Sequence, residues 1–215
     1  MIQRTVLIVL SAFLLGGCAI GTTHLQVTHE PLERIEAKKQ GNIQIKPFID
    51  KRKEDHQYIG NKRNGFGMVL GHVAPEEGVK LESLLTTYFA EALKEAGYNT
   101  VIQDSDSAGK QNEVKFDAVV DGEIVEFWLD LYMKVWQNIE VKTRAIQPTT
   151  QAVLWENTIK ADQSNVLWVG ATGEFEKVIN EALTKALNQA AKEYASDQFQ
   201  QAIKAKTALG NASRP

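Results

Sequence analysis

Four histidines and 27 carboxylates are the side chains in this sequence best suited to hold a metal or move a proton. The histidines, His24, His29, His56 and His72, are scattered, and none stands at tight ligand spacing from another His or Cys. No zinc site is expected, and no metal or cofactor is assigned. Asp121, Glu123 and Glu126 share one strand-like segment, for which a solvated sheet face is the plain reading. Asp50 and Arg52 stand two apart just after a strand signal, a spacing that suits a turn-stabilising salt bridge better than a ligand site. Nucleophilic catalysis needs a Ser or Cys with a base in reach. Ser83 falls inside a helical pattern, Ser105 and Ser107 fall in a polar turn, and no Gly-x-Ser-x-Gly elbow occurs. Gly65, Gly67 and Gly71 approach a dinucleotide-binding pattern, but the spacing is wrong and no following helix start or acidic partner is in place. Trp128, Trp136, Trp155 and Trp168 could stack on sugar rings, although sheet packing is the commoner use of such residues. No catalytic residue is assigned, and the chain is not expected to be an enzyme.

The single cysteine, Cys18, has a more specific setting. Met1–Arg4 is a short basic start, Thr5–Leu15 is an apolar run, and Gly16 and Gly17 are small. That is the order of an export signal. The run is shorter than the roughly 20 residues of a membrane span. Leu15-Gly16-Gly17-Cys18 resembles the lipobox of bacterial lipoproteins. The resemblance implies a diacylglycerol on the Cys18 thiol, cleavage before Cys18 and acylation of the new amino group. Two or three acyl chains hold a protein stably on a membrane where one does not. Ala19, rather than Asp, follows the cysteine. By resemblance to the enteric sorting rule this implies the outer membrane and its periplasmic face, with an inner-membrane anchor left open.

Composition agrees with an exported globular domain. The 215 residues are 43% hydrophobic and 24% charged, with a formal net charge of −3. Loss of residues 1–17 removes only Arg4, leaving 23 basic against 27 acidic residues, near −4. Such a chain is no nucleic-acid binder by its charge. One cysteine excludes an internal disulfide framework.

The elements that must position these residues follow from periodicity. Residues 18–41 read as a lipidated, polar tether, and 42–206 as a single domain. Asn42–Phe48 alternates as a strand, with Pro47 at its edge or end. Asp50–Ala74 reads as a long Gly-rich loop with basic residues and an apolar tip. Pro75–Ala96 carries a helical stripe closed by Gly97. Tyr98–Gln103 reads as a strand and Asp104–Asn112 as a turn. Phe116–Leu129, Lys134–Ile146 and Thr150–Ala161 form a three-stranded antiparallel meander, with Val125, Phe127 and Leu129 sharing one face of the first and Val153, Trp155, Ile159 and Ala161 one face of the last. Gly173 to about Ala205 reads as one long helix whose stripe weakens after Tyr194, and 207–215 as a flexible tail. The expected fold class is α+β, a two-layer sandwich with an antiparallel or mixed sheet of about five strands and two long helices on one face.

With these elements in place, the chain resembles the YajG-like group of bacterial lipoproteins. The features that carry the resemblance are Leu15-Gly16-Gly17-Cys18, Ile43-Gln44-Ile45, Phe48-Ile49-Asp50-Lys51-Arg52, Ile59-Gly60 and Ala96-Gly97-Tyr98, followed by the meander and final helix. The stretch Asn61–Gly71 is longer and richer in glycine than that pattern. The resemblance implies an envelope lipoprotein without known catalysis and transfers no functional residues.

The expected function is that of an accessory or binding subunit for another envelope component, an envelope protein above all. A long loop on an otherwise compact domain is a common place for function. The candidate partner-binding residues are therefore Lys51, Arg52, Lys62, Arg63, Phe66 and Met68. The alternative is a glycan- or lipid-binding module that uses the tryptophan-bearing sheet.

Overall fold

One strand of fifteen residues, Ala118–Tyr132, organises the sheet. In chain order the elements are β1 (Thr23–Leu25), β2 (Asn42–Ile45), β3 (Ile49–Asp50), β4 (Gly60–Arg63), β5 (Val69–Pro75), α1 (Leu81–Glu95), β6 (Asn99–Ile102), β7 (Ala118–Tyr132), β8 (Lys134–Ile146), β9 (Val153–Asn165), α2 (Thr172–Tyr194) and α3 (Asp197–Asn211). The computed structural model describes residues 21–36, 39–103, 115–132, 134–166 and 172–211, with backbone only for 172 and 205–211. The export signal 1–17, Cys18, Trp168, the turn at 104–112 and residues 212–215 lie outside the described residues.

The fold is α+β, with a mixed sheet of nine strands and three helices among the described residues. One edge of β7 pairs antiparallel with β8 along its whole length, and β8 pairs in the same way with β9. The other edge takes three short parallel strands in succession: β2 at Ala118–Val120, β3 at Glu123–Ile124 and β4 at Leu129–Leu131. The sheet forks there. β6 extends β2, while β5 extends β4 and β1 extends β5. The expected count of about five strands is corrected to nine because most of the additional strands have two to four residues. Such pieces show too few alternations to register as strands.

The helices pack on one face of the sheet, α2 against β8, β9 and α1, and α3 against β9. Between the layers lie Ile43, Ile45, Val120, Ile124, Phe127 and Val141 from the sheet, and Leu85, Phe89, Leu93, Val178 and Leu183 from the helices, all fully buried. Burial of this apolar area is the main stabilising term.

Several local expectations change. The helix expected from Pro75 begins at Leu81, because Pro75 ends β5 opposite Leu25. Its end is as expected: Gly97 takes a φ of 104°, its N–H donates to Lys94, and the N–H of Tyr98 donates to Leu93. The final helix is two helices, because Ser196 interrupts it and its Oγ caps the N–H of Phe199. The break turns Phe199 and Ile203 into the core, so packing continues past Tyr194, and helix runs to Asn211 where a flexible tail was expected. In β7 a bulge falls between Ile124 and Glu126, so Ile124, not Val125, shares the inner face with Phe127 and Leu129. A second irregularity, between Ala145 and Ile146, leaves Val153 exposed and Trp155 buried.

The segment expected as a tether belongs to the domain from Thr23 onward. Leu25 and Val27 are buried. From Gln26 to Glu33 the extended chain lies along α2. The N–H groups of Gln26, Thr28, Glu30 and Glu33 donate to the side chains of Glu176, Asn180, Thr184 and Asn188 at 3.1, 3.0, 2.9 and 2.8 Å. Acceptors four apart on a helix recur about every 6 Å, close to the roughly 6.8 Å of two extended residues, the step from Gln26 to Thr28 and from Thr28 to Glu30. The helix thus serves this segment as a pairing edge. Tyr88 of α1 donates to the Val27 carbonyl from the other side.

Candidate functional site

The stretch expected as a loop between Asp50 and Ala74 contains two strands, β4 and β5, with irregular chain before them and a turn between them. Pro47 separates β2 from β3, and both pair with β7. After β3 the side chain of Arg52 turns back onto Asp50. Nη2 reaches Oδ2 at 2.6 Å and Nε reaches Oδ1 at 3.0 Å, and the pair is buried. Burial by itself would raise the Asp50 pKa, but the hydrogen bonds and charge of Arg52, with His56 nearby, hold it below the ordinary value. Lys62 is also buried, and its Nζ donates to Thr23 Oγ1 at 2.7 Å, tying β4 to β1. Arg63 is partly exposed and grips Asp130 at 2.8 Å. Of the four basic candidates, then, Arg52 and Lys62 are withdrawn from any partner by burial, Arg63 is paired, and Lys51 is exposed.

β4 and β5 form a hairpin whose tip carries the two apolar candidates. Phe66 is 90% exposed and Met68 59% exposed, with Val69 beside them. The turn backbone is closed on itself. Asn64 Oδ1 accepts from the N–H of Phe66 and of Met68, Asn64 N donates to Met68 O, and Gly67 N donates to Asn64 O. Gly67 holds a φ of 83° there, which favours glycine. Tyr132 Oη donates to Gly65 O and Arg63 Nη1 to Gly67 O. The tip is therefore a defined shape that presents apolar side chains to its surroundings. A glycine-rich segment reads as a loop in sequence because the alternation that marks a strand needs side chains.

The face of β7, β8 and β9 turned away from the helices is the second candidate surface. Trp128 and Trp136 stand half-exposed on it, diagonally across β7 and β8. Trp155 faces the other way and is buried against Tyr194 and Phe199. Lys134, Trp136, Asn138, Asp162, Gln163 and Ser164 line an open groove of about 360 Å³. Lys134 Nζ lies 5.9 Å from the centre of the Trp136 ring. Three acids of this face are engaged: Arg144 binds Asp121 through two contacts of 3.0 Å and approaches Glu123 at 3.6 Å, while Glu126 accepts from Asn138.

Each histidine has a structural neighbour. His24 contacts Pro75 O, His29 contacts Glu91, His56 contacts Arg52 O, and His72 contacts Asn61 while stacking on Tyr58. Among the described residues no group of three His, Cys, Asp or Glu side chains could hold a metal ion. No described helix is long and apolar enough to cross a membrane. Sequence reading overlooked Gln137 and Thr143, polar residues fully buried on the inner face of β8. Their signal was positional, since they share the inward parity of Val135, Ile139 and Val141.

No family model matches the chain, and no curated protein matches its sequence. Solved structures resemble its fold. Protein XCC0632 from Xanthomonas campestris, of the family DUF330, aligns with a TM-score of 0.57 at 14% identity, covering 85% of this chain and 97% of that one. A neuraminyllactose-binding hemagglutinin homolog from Helicobacter pylori aligns with a TM-score of 0.51 at 12% identity, covering 86% of this chain and all (100%) of the other. Lipoprotein GNA1162 from Neisseria meningitidis aligns more loosely, with a TM-score of 0.39 at 15% identity over 71% of this chain and 99% of that one. At such identities the first two likenesses are of fold alone.

Proposed function

We propose that this protein is a non-enzymatic lipoprotein of the bacterial envelope. It is held on the outer membrane by lipid on Cys18, faces the periplasm, and acts as a binding subunit for another envelope component. The anchor reading rests on the basic, apolar and small-residue order before the only cysteine. The same order, with the motifs that follow it, supports placement beside the YajG-like group. The non-enzymatic reading draws on acids and histidines that are engaged in structural contacts.

The observation that carries the binding role is the uncovered sheet face. A sheet packed by helices on one side leaves its other side to solvent or to a partner. Here that side bears two half-exposed tryptophans beside paired charges. Aromatic anchors with a polar surround are the usual make-up of a contact surface. The test is in-cell photo-crosslinking in the full lipidated chain, with probes at Trp136 and Lys160 on this face and at Gln189 on the helical layer. Capture of one identified envelope protein from the sheet positions alone is the expected result. Equal capture from both layers would sink the proposal.

The groove beside Trp136 favours a second reading, a glycan subsite, because an aromatic face there adjoins Asn138, Asp162 and Ser164. Tryptophan fluorescence titrated with cell-wall fragments tests it. A response that disappears in Trp136→Ala supports it, and a flat response removes it.

A further inference from the structure

We propose that the tip of the β4–β5 hairpin, Phe66 with Met68 and Val69, is a membrane-docking element that enters the lipid interface beside the anchored N-terminus. This rests on the reading of Cys18 as the lipidated residue.

Three observations lead to it. The first is direction. β1 runs parallel to β5, with Thr23 opposite Val73, so the chain before Thr23 heads back along β5 towards the hairpin tip. Gly21 N donates to Leu70 O. Gly21 also lies so close to Gly71 that a Cβ on Gly71 would meet the Gly21 carbonyl oxygen at 2.1 Å. Cys18 is three residues before Gly21, a reach of at most about 10 Å. Phe66 is three residues before Val69 in the turn that closes the hairpin, at most about 10 Å further out. A lipid on Cys18 therefore brings the bilayer to the end of the domain that carries the tip.

The second is chemistry. The exposed side chains at that end are apolar: Phe66 at 90%, Met68 at 59% and Val69 at 43% exposure. Tyr132 and Lys134 stand alongside on the β7–β8 end, and amphipathic and basic side chains of this kind suit the headgroup layer.

The third is the backbone. A segment can enter lipid only if its polar backbone groups are satisfied within the protein. The N–H groups of Asn64, Phe66, Gly67 and Met68 and the carbonyls of Asn64, Gly65, Gly67 and Met68 all have partners inside the hairpin or on Tyr132 and Arg63. Burying the tip in the interface therefore strands few backbone groups. With the tip docked, the anchor and the hairpin give two points of attachment, which fix how the domain stands on the membrane and leave the open sheet face free.

The test uses the full-length, lipidated protein. Acylation blocks Cys18, so Gly65→Cys supplies the one free thiol for an environment-sensitive NBD probe. A Cβ at Gly65 meets nothing within 4 Å, so the label leaves Phe66 and Met68 in place. Val101→Cys is the control, because Val101 is exposed on β6, and β6 joins through β2 to the opposite end of β7. The labelled proteins are placed in vesicles of phosphatidylethanolamine and phosphatidylglycerol containing shallow doxyl-labelled lipid. The expected result is a blue shift and quenching at position 65, neither at position 101, and loss of both when Phe66→Asp and Met68→Asp are added. A solvent-like, unquenched probe at 65 overturns the proposal. So does a blue shift in whole membranes without doxyl quenching, which would mean that a protein covers the tip. The mass of the N-terminal peptide is read separately. An unacylated Cys18 overturns the anchor reading, and quenching at 65 with Cys18→Ser added, which again leaves a single thiol, still upholds the tip in that case.

Discussion

Arg52 holds both carboxylate oxygens of Asp50, Nη2 to Oδ2 at 2.6 Å and Nε to Oδ1 at 3.0 Å, with neither side chain open to solvent. The same guanidinium donates through Nη1 to the carbonyls of Tyr58 and Phe127. Phe127 lies in the gap on the β7 edge between the residues paired with β3 and those paired with β4. Arg52 thus supplies a hydrogen-bond partner where the sheet forks. Removing either partner leaves a buried charge, so Arg52→Ala or Asp50→Ala should cost about 3–5 kcal/mol in urea unfolding at neutral pH. A loss under about 1 kcal/mol, the range of exposed pairs, would show that the pair is dispensable.

The pair also sets an acid limit. The folded-state pKa of Asp50 is lowered, against an unfolded value of about 3.9. Its contribution to stability is therefore fully present above about pH 4 and is lost as pH falls through the lowered value. Urea midpoints measured between neutral pH and pH 2 should show a smaller acid loss for Asp50→Asn than for the parent. Parallel curves would contradict the assignment.

Gly122 is a site of close approach. A Cβ there would lie 2.5 Å from the Phe48 ring. Gly122→Ala should destabilise by about 1–3 kcal/mol through overpacking. Adding Phe48→Leu should make the loss smaller than the sum of the single changes, and strict additivity would show that the ring is not the obstacle.

The side-chain ladder of α2 predicts local, rather than global, effects. Replacing Asn180 and Asn188 by Ala removes the acceptors for Thr28 and Glu33 N–H. Each such bond contributes about 1 kcal/mol. Hydrogen exchange at those two amides should speed up about five-fold while amides in β8 keep their protection. Equal acceleration in β8 would mean that the segment and the sheet unfold together.

Phe199 closes the far end of the core. Its ring meets Trp155 edge-on at 4.9 Å and Tyr98 at 5.6 Å. Burial raises the pKa of Tyr98 and Tyr194 beside it, so both stay protonated and neutral across the physiological range. Phe199→Ala should cost about 3–5 kcal/mol and redden Trp155 emission as water reaches it. An unchanged spectrum and midpoint would show that α3 does not belong to the core.

The sequence by itself determined the elements whose signal is local and repeated. The meander of β7, β8 and β9 shows its alternation over thirteen to fifteen residues per strand, and α1 announces its end through Gly97 because only a residue free at positive φ closes that turn cheaply. The expectation at Cys18 is of the same kind, since a run of residue types in order needs no fold to be read. The tertiary structure alone decided the fork of the sheet, the docking of Gln26–Glu33 along α2, the shift of Val125 out of the inner register and the turn of Phe199 into the core. It also decided that Arg52 and Lys62 are buried while Phe66 and Met68 stand exposed on the same stretch of chain. Strands of two to four residues contain one or two alternations, too few for a pattern. Whether a basic side chain meets solvent depends on partners such as Thr23, thirty-nine residues away from Lys62. Local periodicity encodes which face a residue can take; what stands opposite that face is a long-range contact that only the folded chain supplies.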